Sequence, residues 1–358
     1  MKNIKGGISK VAIVKCYSYN QKEVDNAVKK SLELAEIKIP FRKTVLIKPN
    51  IVGSFPKKQK IATTNPTVIE AICKILKNRK CKIIIGESSF MNTINAFKDS
   101  GIEKIAKKYG AVLIFEQDKL IKIKDSKAKI LKEFRISKTL KNADLIINIP
   151  KLKTHLLTKI SGAIKNIYGV IPGGMKQKLH AFASNEKKFS SLLVDIYQNI
   201  LPEITIMDGI EAMEGKGPTA GNLKKANRII VSRDGIAVDI VAARIMGYKI
   251  KNIYMIKESL KRKISSGKFL LVGEKEIPSL GFDKPHVRNK LSKNILRLLK
   301  VKPIVVNKEK CIKCGICAKH CPMSVIKLSP YPIVDKKKCI RCFCCMEICP
   351  NHALYLKE

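Results

Sequence analysis

The chain has 358 residues, an apolar fraction of 45% and a formal net charge of +42, which allows a sizeable core divided between two or three domains. It contains no apolar stretch of about 18 residues, which excludes a predicted transmembrane helix, and its start lacks the apolar run of a signal peptide. The charge comes from 61 lysines and only ten arginines spread along the chain, and Trp is absent, so a nucleic-acid partner is not expected.

From residue 10 onward, short apolar runs alternate with segments of helical periodicity. Strands are predicted at 10–15, 44–50, 82–87, 111–115, 144–150, 204–209, 228–231 and 269–272. Helices are predicted at 21–36, 65–77, 94–109, 187–200 and 236–246. Because continuous apolar strands that alternate with helices are typical of a parallel sheet buried on both faces, we predict an α/β domain over residues 1–280, as one body or two lobes. Its mostly parallel sheet should carry helices on both faces, and the Lys-rich stretch 118–133 should be an exposed excursion.

Residues 281–303 are predicted to form a basic amphipathic linker helix. Leu291, Ile295 and Leu298 share one face, with lysines and an arginine around it. Such a helix can lie on a membrane surface or pack against its own protein, and we expect the second.

Nine of the 12 cysteines lie between residues 311 and 349, and eight of them form two copies of one pattern. In each copy, three cysteines are separated by two residues, a fourth follows after three more, and a proline comes next. This is the spacing of bacterial 4Fe–4S runs, in which the fourth cysteine of a run ligates the other cluster. The pattern therefore predicts two 4Fe–4S clusters. The first is assigned to Cys311, Cys314, Cys317 and Cys349, and the second to Cys339, Cys342, Cys345 and Cys321.

Residues 304–358 resemble the bacterial-type ferredoxin with two 4Fe–4S clusters, which implies a small α+β, ferredoxin-like iron–sulfur domain. The alternative for these cysteines is a pair of zinc sites, which would leave the repeated spacing unexplained. Cys344 lies outside the pattern and is predicted to be a small buried side chain beside a cluster. Since the other cysteines must stay reduced to bind clusters, we expect a cytoplasmic protein.

Several predicted strands end in unusual polar sequences. In an open α/β sheet, ligands gather at the carboxyl ends of the strands. The candidate substrate-binding residues at these ends are Lys48, Asn50, Glu87, Lys151, Lys153 and Asp208. We predict that these side chains line one pocket, together with His155 and Lys165.

The stretch 150–180 is the densest in cations and glycines. Lysines supply positive charge and glycines allow close backbone approach, which suits an anionic ligand. Within this stretch, His155 and Lys165 are the candidate catalytic residues, because a His titrates near neutral pH and a desolvated Lys can be brought there. The alternative is a solvated loop in a chain that is rich in lysine throughout.

Over residues 10–275 these segments resemble the family called domain of unknown function 362. The segments that carry the resemblance include Lys48-Pro49-Asn50, Gly86-Glu87-Ser88-Ser89, Pro150-Lys151-Leu152-Lys153-Thr154-His155 and Gly162-Ala163-Ile164-Lys165-Asn166. In that family the domain is often followed by a two-cluster ferredoxin module. The resemblance implies a site at the strand ends but supplies no reaction.

The main functional hypothesis is a ferredoxin-linked oxidoreductase, in which two clusters exchange electrons with an α/β domain that binds an anionic small molecule. The segment 304–358 has ten basic and four acidic residues, so an acidic electron-transfer protein, a ferredoxin or flavodoxin, is the expected partner. One alternative is a non-enzymatic electron carrier or an iron–sulfur or metal-handling accessory protein. Another is an RNA-binding protein with structural clusters.

Overall fold

The computed structural model describes residues 8–53, 61–89, 92–114, 118–183, 185–285 and 304–356. The strands in these ranges are β1 (Ser9–Lys15), β2 (Thr44–Pro49), β3 (Lys82–Gly86), β4 (Val112–Ile114), β5 (Leu120–Lys124), β6 (Glu133–Ser137), β7 (Leu145–Ile149), β8 (Lys151–His155), β9 (Lys159–Ile160), β10 (Ile204–Glu214), β11 (Asn222–Ser232), β12 (Phe269–Gly273), β13 (Ile304–Val306), β14 (Ile326–Ser329), β15 (Tyr331–Val334) and β16 (Leu354–Leu356). The helices are α1 (Gln21–Leu34), α2 (Pro66–Asn78), α3 (Thr93–Asp99), α4 (Ile102–Tyr109), α5 (Lys138–Lys141), α6 (Gly162–Asn166), α7 (Gly173–Phe182), α8 (Glu186–Ile200), α9 (Gly235–Ile245), α10 (Tyr254–Lys261), α11 (Ile316–Lys319) and α12 (Cys344–Ile348).

One mixed sheet of ten strands organises the α/β domain. Eight of them follow the order β12-β1-β11-β10-β7-β2-β3-β4, whereas β8 pairs with β10, and β9 pairs with β8. β11 is antiparallel to both of its neighbours, whereas the pairs from β10 to β4 are parallel. Val11 and Ile13 belong to one apolar core, and Ala12 and Val14 to the other. Because alternate residues of a strand face opposite sides, both faces of the sheet are covered. The predicted fold class is therefore confirmed.

Several helices begin at side chains suited to capping. Asn20 accepts hydrogen bonds from the first turn of α1, and Asn65 does so for α2, which has Pro66 at its first position. Asp234 caps α9 in the same way. These residues satisfy backbone N–H groups that the helix itself leaves free.

The structure differs from the prediction in three places. The stretch 118–133 keeps its lysines exposed, as predicted, but it forms strand β5 of the hairpin β5–β6 and buries Ala128 and Leu131. The helix predicted at 94–109 is two helices, separated at Gly101, whose φ of 79° favours glycine. The stretch 150–180 is not a solvated loop, because it contains β8, β9, α6 and α7, and every residue of β8 is buried.

The C-terminal module consists of two short antiparallel pairs of strands, β13–β16 and β14–β15, with α11 and α12. Its core contains Cys317, Cys345 and Cys349, and Leu156 and Leu157 of the α/β domain pack against that core. Most of the predicted linker helix, residues 286–303, lies outside the described residues. Among the helices described, none is both long enough and apolar enough to cross a membrane.

Candidate cluster sites and the pocket between the domains

The first cysteine set (Cys311, Cys314, Cys317 and Cys349) lines one cavity of about 360 Å³, counted with its open mouth. Ile316, Leu328 and Leu354 supply apolar wall. The Cys349 Sγ accepts a hydrogen bond of 3.2 Å from the Ala353 backbone N–H. Four thiols around an apolar cavity, one of them receiving an N–H···S bond, fit a 4Fe–4S cluster. Cys349, which comes from the second run, lines this cavity together with the first three cysteines of the first run, as the predicted exchange of the fourth ligand requires.

The second cysteine set (Cys321, Cys339, Cys342 and Cys345) is also brought together. Burial, followed by the proximity of Cys342, Cys339 and Cys321, raises the pKa of Cys345 well above its ordinary value. Thiols in such surroundings stay protonated unless a cationic centre lies among them. Four neighbouring thiols are the donor type that a 4Fe–4S cluster requires.

Cys344 lies beside the second set without belonging to it. Its side chain is buried, as predicted from its position outside the spacing. A hydrogen bond between Cys344 and Cys342 lowers the pKa of Cys342 and raises that of Cys344. The extra cysteine thus supplies a donor to its neighbour's sulfur.

A pocket of about 510 Å³, counted with its opening to solvent, lies where the α/β domain meets the C-terminal module. Its wall combines strand ends, α6, a loop proline and one carboxylate of the module. The lining residues are Asn50, Ile51, Val52, Glu87, Ser88, Ser89, Lys153, Ser161, Lys165, Asn166, Tyr168, Gly169, Lys176, Pro218 and Glu347. We refer to this cavity as the interdomain pocket.

Four of the predicted site residues line this pocket: Asn50, Glu87, Lys153 and Lys165. Lys48 lies directly behind the wall, where its Nζ is 2.6 Å from Glu87 Oε2 and both side chains are buried. Lys153 donates a 2.8 Å hydrogen bond to the Ala62 carbonyl, which also accepts one from Asn50.

Lys151 and Asp208 are not among the lining residues, and in this respect the expectation of one common pocket fails. The Lys151 Nζ lies 2.8 Å from Asp208 Oδ2, and the Tyr19 hydroxyl contacts both side chains. Asp208 also accepts from the Asn65 backbone N–H. The two charges compensate each other inside the protein, so this ion pair has a structural role. The strand-end pattern in the sequence does not separate such a structural pair from ligand-binding residues.

His155 is fully buried and faces the module instead of the pocket. Its Nδ1 accepts from the backbone N–H groups of Leu157 and Thr158, so its Nε2 carries the proton. That Nε2 lies 3.3 Å from Glu347 Oε1, although their orientation does not complete a hydrogen bond. Burial, followed by Lys165, lowers the pKa of His155 to about 4, so the imidazole is neutral at pH 7.

Two pocket residues escaped sequence reasoning. Glu347 lies between two cysteines of the cluster-binding pattern, Cys345 and Cys349. It lines the pocket only because the module packs against the α/β domain, which the local sequence does not indicate. Burial opposes its ionisation, but His155 and Lys165 lower its pKa to about 2. Ser161 is 5% exposed, and its hydroxyl has no hydrogen-bond partner among the described residues. The sequence signal for Ser161 is its position directly before Gly162, the first residue of α6.

Lys165 is half-buried in the pocket wall, and no described residue accepts a hydrogen bond or forms an ion pair with its ammonium group. Burial lowers its pKa below the ordinary value, while Glu347 and then Cys344 oppose that shift. Burial and then Lys165 also lower the pKa of Lys153 well below its usual range. A bound anion would relieve both cations, because it restores the charge compensation that burial removed.

Comparisons with known proteins agree with the two-part organisation. A 4Fe-4S binding domain matches residues 304–327. The thylakoid-associated protein sll1697 of Synechocystis sp. is 30% identical over 206 residues, which cover 56% of this chain and 62% of that protein. The chain therefore spans less than two thirds of that relative.

Among solved structures, the lactate racemase apoprotein from Thermoanaerobacterium thermosaccharolyticum is 14% identical, with a TM-score of 0.39 over 67% of this chain and 57% of that one. The family model for a domain of unknown function, DUF362, matches residues 45–244, which is more than half of the chain. The protein is thus an iron–sulfur protein that belongs to the DUF362 family.

Proposed function

We propose that the protein is an oxidoreductase in which two 4Fe–4S clusters exchange electrons with a small anionic molecule held in the interdomain pocket. The observation that carries the proposal is the position of Glu347. It lies two residues after Cys345 and two before Cys349, and it forms part of the wall that also contains Lys165. The ligand pocket and the cysteine sets therefore share one short helix, α12.

The first cysteine set would hold one cluster and the second set the other. When bound, such clusters supply one-electron transfer over a wide range of potentials. The reducing conditions that the thiols require favour the cytoplasm as the place where the protein works.

The charges of the wall favour an anion. Three lysines (Lys153, Lys165 and Lys176) face two carboxylates (Glu87 and Glu347), and the Glu87 carboxylate is already paired with Lys48 behind the wall. The Ser161 hydroxyl and the Lys165 ammonium are the groups placed to bind the anionic part of a ligand. Ile51, Val52 and Pro218 offer apolar surface for a short carbon skeleton.

Lys165 is the catalytic candidate that the arrangement favours, because it lines the pocket and burial lowers the pKa of its ammonium group, which makes its proton easier to transfer. His155 does not reach the pocket, so we assign it a positioning role through Glu347. This assignment departs from the acid–base role expected from the sequence.

Anaerobic purification followed by native mass spectrometry tests the ligand. We expect about one anionic small molecule per chain in the wild type, and its loss in Lys165→Met and Ser161→Ala. Lys30→Met, at an exposed lysine of α1, is the matched control and should keep the ligand.

The same preparation separates the alternatives. Cluster-loaded protein that carries no molecule, and whose unfolding temperature does not change with a panel of small carboxylates, would favour an electron carrier or accessory protein. RNA that co-purifies and is released by salt would favour the RNA-binding alternative.

A further inference from the structure

The cavity of the first cysteine set opens at the surface of the module. Its exposed lining residues are Lys310, Ile312, Lys313, Cys314, Leu328 and Asn351, which we call the first-set mouth. Ile312 is 61% exposed and Leu328 is 47% exposed. Five of the 13 large apolar side chains that are exposed among the described residues belong to this small module, so its surface is unusually apolar for its size.

The opposite side of the module is covered by the α/β domain. Glu347 meets His155 there, and the Thr219 hydroxyl donates a 3.3 Å hydrogen bond to the Glu347 carbonyl. Gln177 contacts His320 across the same boundary. The second cysteine set, which neighbours Glu347, thus faces inward, whereas no described residue of the α/β domain lines the first-set cavity.

The charged residues that line the first-set mouth are all positive. Its lining residues include two lysines and no carboxylate. Lys308 adds a further cation, because the ammonium groups of Lys308 and Lys313 lie 5.6 and 4.9 Å from the centre of the Tyr331 ring.

We propose that the first-set mouth is the docking surface for a small acidic electron-transfer protein of the ferredoxin or flavodoxin class. An apolar centre with a cationic rim matches an acidic partner in charge and allows close contact over the cysteine set. The exchange is a single electron, lost by one protein and gained by the other, with no bond formed or broken. The proposal requires a cluster in the first set but does not depend on the interdomain pocket.

Binding and electron transfer can be measured separately with a small acidic ferredoxin as the probe. We expect calorimetry to give a dissociation constant that rises at least tenfold between about 0.01 and 0.15 M salt, as the Debye length falls from about 30 to 8 Å. Lys310→Glu/Lys313→Glu should weaken binding at low salt by more than tenfold and slow cluster reduction by the probe in proportion. Leu328→Ser should weaken binding while preserving its salt dependence.

The control is Lys30→Glu/Lys257→Glu, which makes the same change in net charge at two exposed lysines of the α/β domain. If both double variants weaken binding equally, the attraction belongs to the whole basic chain, and the docking proposal is wrong. The proposal also fails if binding does not depend on salt. Reduction by dithionite should be unchanged in every variant, and co-purification of the pocket ligand should be unaffected, which distinguishes failure of docking from failure of the proposed function.

Discussion

Lys48 and Glu87 form a buried ion pair that supports the interdomain pocket from behind. The Glu87 Oε2 also accepts from the Ile51 backbone N–H at 3.2 Å, so the pair fixes the strand end as well as the charge. Gly169 makes room for it, since a Cβ at that position would lie 2.6 Å from Lys48 Nζ. Lys48 and Glu87 each depend on the other to remain charged inside the protein.

Lys48→Met should reduce the free energy of unfolding by about 3–5 kcal/mol, because it leaves the Glu87 carboxylate buried without its partner. Lys48→Met/Glu87→Gln should recover part of that loss. Anaerobic urea unfolding measures both, with Lys30→Met as the exposed control that should stay within about 0.5 kcal/mol of the wild type. The two residues are not coupled if Glu87→Gln lowers the free energy of unfolding by the same amount in the Lys48→Met background as in the wild type.

The two neighbouring cysteines of the second run should respond differently to substitution. Cys342→Ser removes a proposed ligand and should cost one cluster, which halves the iron content from about eight per chain. Cys344→Ser should keep both clusters, because it replaces a side chain outside the ligand set with one of similar size. Iron and acid-labile sulfide analysis after anaerobic purification checks this. Loss of iron in Cys344→Ser would show that the ligand assignment is shifted, and stoichiometric zinc without sulfide would contradict clusters altogether.

Helix α6 is the element that places Lys165, and it is anchored at both ends. Its N-terminal N–H groups, those of Ala163 and Ile164, donate to the Asp239 carboxylate. At its C-terminal end, Asn166 donates to Asn148 Oδ1 at 2.8 Å and to the Lys48 carbonyl at 3.2 Å. A helix of five residues has little stability of its own, so these anchors determine where the lysine lies.

Asp239 should make stability depend on pH. Burial raises its pKa to about 7, although the N–H groups of Ile164 and Ala163 oppose the shift. Between about pH 5 and 7 the folded protein therefore holds a proton that the unfolded chain has lost, and stability should fall as the pH rises, by at most about 1.4 kcal/mol per unit. Asp239→Asn should remove this component. Urea unfolding of both proteins across this range tests it, and parallel pH profiles would contradict it.

The elements show which parts of the fold a sequence can predict. Apolar strands such as β2, β3 and β7 can be predicted from the sequence, because strands that are buried on both faces consist of a continuous hydrophobic run. β8 was missed because two of its five residues are lysines, and their burial depends on partners contributed by distant segments, namely Asp208 and the Ala62 carbonyl. The cysteine spacing is a local motif and can be recognised in the sequence. The proximity of Glu347 and Lys165 depends on tertiary packing, which no local sequence pattern predicts.

At the scale of the whole molecule, the module and the α/β domain share an apolar contact at Leu156 and Leu157. Because ligand cysteines form part of the module's core, removal of the clusters should loosen that core and uncover this contact. We expect amide hydrogen exchange over residues 155–160 to accelerate at least tenfold in the apoprotein. Strand β1, a buried strand of the same domain that does not contact the module's core, is the internal control. Equal exchange at 155–160 in both forms would show that the contact survives without clusters.

The shared helix α12 has a consequence for how the protein matures. Lys165, Ser161 and Glu87 belong to the α/β domain, whereas Glu347, which completes the pocket wall, lies between two cysteines of the module that are proposed cluster ligands. Under the proposed function, binding of the anionic ligand would depend on cluster assembly, and oxidative loss of the clusters would disable binding together with electron transfer. Under the same proposal, the protein would avoid a state in which it holds its ligand without being able to exchange electrons with it.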